Sequence, residues 1–161
     1  MSSQILTTQS STAVEVFIRL LRGHAATTRA LSSELQEEHG LTINDYEALL
    51  RISRADEGTM RRVDLAKALV LTPSGVTRLL DGLERCGLVE KASCSCDARV
   101  SYAVLTPAGK KRLKEASRSH LASVRALFAE RYTEEELETL GELLARLPDA
   151  GRADESECVP E

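Results

Sequence analysis

The segment Thr72–Leu105, TPSGVTRLLDGLERCGLVEKASCSCDARVSYAVL, constrains the fold more than any other part of the chain. Thr72 suits an N-cap, and Pro73 suits the first helical position, where a missing N–H removes no hydrogen bond. Val76, Leu79, Leu80 and Leu83 fall at i, i+3, i+4 and i+7, the apolar stripe of one helix face. The opposite face carries Ser74, Thr77, Arg78, Asp81 and Arg85. Gly87 predicts the stop, because glycine enters a left-handed conformation without a Cβ penalty. Beyond it, Leu88, Val89, Val100, Tyr102, Val104 and Leu105 predict a ribbon of two short strands around a small polar tip.

A helix whose first turns offer hydroxyls and Arg rather than Glu and Lys is suited to the groove of double-stranded DNA. Ser74, Thr77 and Arg78 are the candidates for base contacts, and Arg78 for a bidentate guanine contact. Thr72, Arg61, Arg62 and Lys67 are the candidates for phosphates, which position without specifying. Val63, Leu65, Ala66 and Leu69 predict the short preceding helix of a helix-turn-helix, and the ribbon after it makes the unit a winged helix. At the ribbon tip, Arg99 is the candidate for a narrow minor groove, with Asp97 orienting its guanidinium.

The net charge of −4 is unevenly placed: residues 61–114 carry eleven Lys/Arg against five Asp/Glu, so acidic flanks enclose a basic segment. Upstream, Val14, Phe17, Leu21, His24, Thr28, Leu31 and Leu35 form a heptad-like stripe from Ser11 to Glu38, ended by Gly40. Thr42 with Asp45 opens a second helix by a capping box, with Tyr46, Leu49, Leu50 and Ile52 on its apolar side. After Thr106-Pro107 a long helix is expected to about Arg131. Its first turns carry the basic cluster Lys110-Lys111-Arg112-Lys114. Thr133 and Glu136 open a last helix by another capping box. The terminal helices expose more apolar stripe than one lobe covers, which predicts a dimer.

The expected fold class is therefore mainly α with a small β-wing, and long N- and C-terminal helices forming a dimerisation region. Its parts are a dimerisation helix (1–40), a winged helix-turn-helix lobe (41–109), C-terminal dimerisation helices (110–148) and an acidic tail (149–161) expected to be disordered. No apolar run reaches the length of a membrane span and the N-terminus lacks a signal-peptide pattern, so a cytoplasmic location is expected.

The runs Ser74-Gly75-Val76-Thr77-Arg78, Asp81-Gly82-Leu83-Glu84, Gly87-Leu88-Val89, Asp97-Ala98-Arg99 and Leu105-Thr106-Pro107-Ala108-Gly109 together resemble the MarR family of winged-helix transcription factors. The resemblance covers about Leu41 to Gly109. It implies a homodimer with intertwined terminal helices, an inverted-repeat operator, repression as the default, and regulation by a small aromatic ligand, an oxidant or a metal. No cofactor is required. Where the family's wing tip usually carries Pro and acidic residues, this chain has Cys94-Ser95-Cys96.

Those cysteines and Cys86 are candidates for redox or metal sensing, with Arg99 and Lys91 as the positive neighbours that would lower a thiol pKa. Cys86, at the helix end, is a candidate for burial. A second metal candidate comprises Glu37, Glu38, His39 and His120, with His24. Two competing readings are a winged-helix protein-interaction module without DNA binding, which need not keep Arg78 and Arg99 together, and a thiol enzyme using Cys94 or Cys96 with His120. The enzyme lacks an orienting third group and an oxyanion element in the sequence.

Overall fold

The computed structural model describes residues 12–93 and 100–148. Six α-helices are described, α1 (Thr12–His39), α2 (Ile43–Arg54), α3 (Arg62–Ala68), α4 (Pro73–Arg85), α5 (Pro107–Ala129) and α6 (Glu134–Leu144), with a 3-10 turn at Asp56–Gly58. Strands β1 (Thr59–Arg61), β2 (Val89–Ser93) and β3 (Ser101–Leu105) form one antiparallel sheet in the order β1-β3-β2. The expected ribbon is thus a three-stranded sheet. Its extra strand, only three residues long, pairs Thr59 with Val104 and Arg61 with Tyr102. A strand this short has no periodicity of its own, and its pairing with β3 creates it.

Local chemistry sets the helix ends. Thr42 accepts from the Asp45 N–H while the Asp45 carboxylate accepts from the Thr42 N–H, completing the expected capping box. Thr133 and Glu136 repeat it at α6. At the end of α4, Gly87 has φ +71°, its N–H reaches the Glu84 carbonyl, and the Leu88 N–H reaches the Leu83 carbonyl. That is a Schellman closure. The α5 helix ends at Ala129, two residues short of the expected limit.

The chain divides into two compact units, Met1–His120 and Leu121–Glu161. In the first, Leu35, Leu41, Leu49, Ile52, Leu65, Val76, Leu80 and Val89 are almost wholly buried. Each such side chain contributes roughly 1.5–3 kcal/mol of apolar transfer. In α1 only the C-terminal half joins this core, through Leu31 and Leu35, while Phe17 and Leu21 are 58% and 53% exposed. In the second unit, α6 half-buries Leu137, Leu140 and Leu144 and exposes Leu143, and Leu147 beyond it is also exposed.

The tightest approach lies where α5 begins. The Thr106 hydroxyl donates to the Gly87 carbonyl at 2.7 Å and accepts from the Gly109 N–H at 3.0 Å, while the Thr106 N–H donates to the Leu88 carbonyl at 3.2 Å. A Cβ on Gly109 would stand 2.1 Å from the Leu88 carbonyl oxygen. Further along α5, Tyr46 of α2 donates to the Ser117 hydroxyl at 3.2 Å and packs against the His120 ring, with centroids 4.7 Å apart and planes tilted by 55°. Burial holds His120 below the ordinary imidazole value of 6.5, against a smaller raising influence of Glu34.

Among the described residues two non-glycines, Glu57 (φ +56°) and Val70, have left-handed backbones, and the β-branched Val70 is the more strained. Val70 closes α3 with φ +51°, donating to the Lys67 carbonyl as Leu71 donates to that of Ala66, and its side chain is 91% exposed. A β-branched residue in the left-handed region carries about 1–3 kcal/mol of strain.

Three outcomes follow from this packing. Gly109→Ala is expected to destabilise the fold by about 1–3 kcal/mol or more in urea denaturation, because backbone rather than a flexible side chain blocks the methyl. Val70→Gly is expected to gain about 1 kcal/mol in the same measurement, strain relief exceeding the entropy of glycine. For His120 the unfolded chain takes up a proton more readily than the folded one, so stability is lost as pH falls below about 6.5. His120→Gln should flatten that fall in melting temperatures taken between about pH 7.5 and about pH 5.5.

Candidate nucleic-acid interface

The helix-turn-helix consists of α3, the turn at Leu69–Leu71 and α4. Its turn is rigid at both ends, by the Schellman bonds at Val70 and by the Thr72 cap. The Thr72 hydroxyl accepts from the Gly75 N–H at 3.1 Å and lies 3.2 Å from the Ser74 hydroxyl. The cap orients the first turn of α4 outward, with Thr72, Ser74 and Arg78 exposed. Val76, Leu80 and Leu83 bury the opposite stripe, as the spacing predicts.

A groove of about 880 Å³ runs beside this turn, with Arg61, Arg62, Lys67 and Thr72 on its rim and Val70 and Val100 among its apolar lining. The four residues expected on phosphates therefore come from one strand, one helix and one cap into a single concave surface. Its lining mixes the cations Arg61, Arg62 and Lys67 with the apolar Val63, Val70, Leu71 and Val100, a combination compatible with the phosphates and sugars of a nucleic-acid backbone.

Two expected contacts are instead bonded to each other. The Arg62 guanidinium donates to the Thr77 hydroxyl, and that hydroxyl donates its proton to the Pro73 carbonyl at 2.9 Å. Thr77 is left without a donor for a base edge, while Arg62 is half-buried, its Nε enclosed without a partner among the described residues. The pair joins α3 to the second turn of α4. No sequence pattern announced it, since the two residues lie fifteen apart on separate helices.

The basic cluster at the start of α5 also divides. Lys110, Lys111 and Lys114 are exposed, but Arg112 turns inward to donate to the His39 carbonyl at the end of α1. Lys91, expected to raise the thiolate fraction of a wing cysteine, is bonded to Asp81 and to Glu84, the latter at 2.9 Å. Its side chain is 32% exposed. The hydrogen bond that Lys91 donates holds the Asp81 carboxyl below its ordinary range, and donating to Asp81 and Glu84 raises Lys91 above its own.

Cys86, the C-cap of α4, is exposed rather than buried, because the helix ends on the surface side of the Gly87 turn. Cys94, Cys96, Asp97 and Arg99 lie outside the described residues, as do residues 149–161. The proposed carboxylate–histidine cluster does not assemble. His39 bonds the Ser119 hydroxyl at 2.6 Å, His120 packs against Tyr46, and His24 lies 3.5 Å from the Thr28 hydroxyl. Among the described residues no three His, Cys, Asp or Glu side chains come together to hold a metal ion, and no helix is long and apolar enough to cross a membrane.

Comparison with known proteins places this arrangement. Residues 39–100 match the MarR family. The HTH-type transcriptional repressor YetL of Bacillus subtilis is 32% identical over 112 residues, a match spanning 67% of this chain and 66% of that protein, just under two thirds of its length. Among solved structures, AbsC, a MarR family transcriptional regulator from Streptomyces coelicolor, is 32% identical with a TM-score of 0.73, over 83% of this chain and 90% of that one. Sco3205, a MarR family regulator of the same organism solved in complex with DNA, is 25% identical with a TM-score of 0.76, over 88% and 89% of the two chains. The capped helix, the sheet behind it and these likenesses along most of the chain agree: this protein belongs to the MarR family and is a winged-helix transcriptional regulator.

Proposed function

We propose that the protein binds double-stranded DNA sequence-specifically as a homodimer, acts as a repressor on an inverted-repeat operator, and is released by a small effector. The observation that carries the DNA reading is the exposed pair Ser74 and Arg78 on the first turns of α4, next to the groove rimmed by Arg61, Arg62, Lys67 and Thr72. In this reading Ser74 and Arg78 face base edges, while Arg61, Lys67 and Thr72 face phosphates. Thr77 and Arg62 act mainly by fixing α4 against α3. That Sco3205 was solved in complex with DNA supports DNA binding by this chain; the major-groove role of α4 is inferred from its exposed Ser74 and Arg78, and Asp97 with Arg99 are assigned to the minor groove from the sequence motif.

Dimerisation is supported by apolar surface in the first half of α1, where Val16, Phe17, Ile18, Leu20 and Leu21 are between 38% and 59% exposed. A contiguous apolar strip of this kind marks an interface. Two copies joined there would present two α4 helices to half-sites about one helical turn apart. Repression is favoured by the likeness to YetL. Release by a small aromatic acid, an oxidant or a metal follows from family membership, and Cys94 and Cys96, where the chain departs from the family, are the residues the sequence offers for an oxidant or a metal.

Selection of bound duplexes from random DNA tests the reading. The expected product is an inverted repeat. Against that product, Arg78→Ala should relax specificity at one base position in each half-site and cost about 1–3 kcal/mol. Lys67→Ala should weaken all duplexes alike and make the plot of log K against log salt shallower by about 0.9. Recovery of no repeat, or an Arg78→Ala variant with unchanged base preference, would overturn it.

A further inference from the structure

The recognition helix carries two carboxylates, Asp81 and Glu84, that a polyanion would repel. At about 100° per residue, Asp81 lies roughly 60° round the helix from Arg78 and roughly 20° from Ser74. It therefore flanks the exposed row that the DNA reading assigns to bases. Both carboxylates are about half exposed, at 45% and 43% of their side-chain surface.

Strand β2 supplies the cation between them. Successive strand residues point to opposite faces, so Lys91 shares the face of Val89, which is 1% exposed against the core. The register pairs Lys91 with Ala103 and Val89 with Leu105, both of whose side chains are buried. A lysine on the inward face of a sheet must reach a partner or solvent past its own neighbours. Here it reaches Asp81 and Glu84 of α4, one turn apart.

We propose that Lys91 is a positioning residue for DNA reading, acting through Asp81 and Glu84 to dock β2 on the recognition helix and to mask both carboxylates from the phosphates. The inference rests on the DNA-binding reading above. It gives Lys91 no contact with DNA, which separates it from the cations of the groove rim. It also predicts that the wing strand and the recognition helix move as one body when either is displaced.

The test is a double-mutant cycle of Lys91→Met with Asp81→Asn/Glu84→Gln, measured on the duplex that the wild-type protein selects, with thermal unfolding to confirm that each variant is folded. Exposed ion pairs add little to stability, so all four proteins should melt close together. Lys91→Met is expected to weaken binding by about tenfold in the wild-type background and by less than about twofold when the carboxylates are already neutral. In the wild-type background the loss should shrink as salt screens the unmasked carboxylates, while with neutral carboxylates the salt dependence should be unchanged, and Lys91→Arg should keep near wild-type affinity. Equal affinity of Lys91→Met and wild type overturns the inference. So does an equal loss in both backgrounds, and a salt slope shallower by about 0.9 would then mark Lys91 as a phosphate contact. A wild-type protein that selects no duplex overturns the DNA reading itself, and the inference with it.

Discussion

The winged lobe hangs on one close approach, the start of α5 against the turn at Gly87–Leu88. Four chain directions meet there: α4 arrives, β2 leaves, β3 returns and α5 departs. The Thr106 hydroxyl serves as N-cap acceptor for α5 and as donor to the turn, so one side chain satisfies two groups that helix ends leave unpaired. Gly109 then removes the only atom that would separate the helix from the Leu88 carbonyl. With that junction closed, the C-terminal end of α4 is held against the start of α5, and Ser74 and Arg78 nearer its N-terminal end stay exposed.

Legibility in the sequence followed the range of the interaction. Caps were readable because their partners are three residues apart: Thr42 with Asp45, Thr133 with Glu136, Thr72 with Gly75. The left-handed closure at Gly87 was readable because glycine is its usual residue. The same closure at Val70 was not, since nothing in a valine announces φ +51°. Strand β1 escaped because three residues cannot show a period of two, and its ladder depends on β3 more than forty residues away. The order of elements and the identity of the reading helix were thus legible, while the division of its polar residues was not.

That division concerns Thr77 above all. By sequence it belongs with Ser74 and Arg78, one hydroxyl among others on a polar face. In the folded protein its proton goes to the Pro73 carbonyl and its lone pair to Arg62. A mid-helix threonine bonding back one turn is common enough, but the cation from α3 converts a local habit into a tie between the two helices. A guanidinium has several donors, and while the Nε of the half-buried Arg62 is enclosed without a partner among the described residues, its bond to Thr77 ties α3 to α4.

The same reasoning changes how an acidic chain can approach DNA. Counting Lys and Arg in residues 61–114 overstates the available positive charge, because some of those cations have internal duties. Arg62 holds Thr77, Lys91 holds Asp81 and Glu84, and Arg112 holds the end of α1. Those left on the surface include Arg61, Lys67, Arg78, Lys110, Lys111 and Lys114, which are exposed. Of the internal cations, Lys91 is not lost to binding, because its single charge offsets part of the negative charge of Asp81 and Glu84 that would oppose it. A basic face is built here as much by masking carboxylates as by displaying cations, so the local field depends on which pairs the fold closes more than on the net charge of −4.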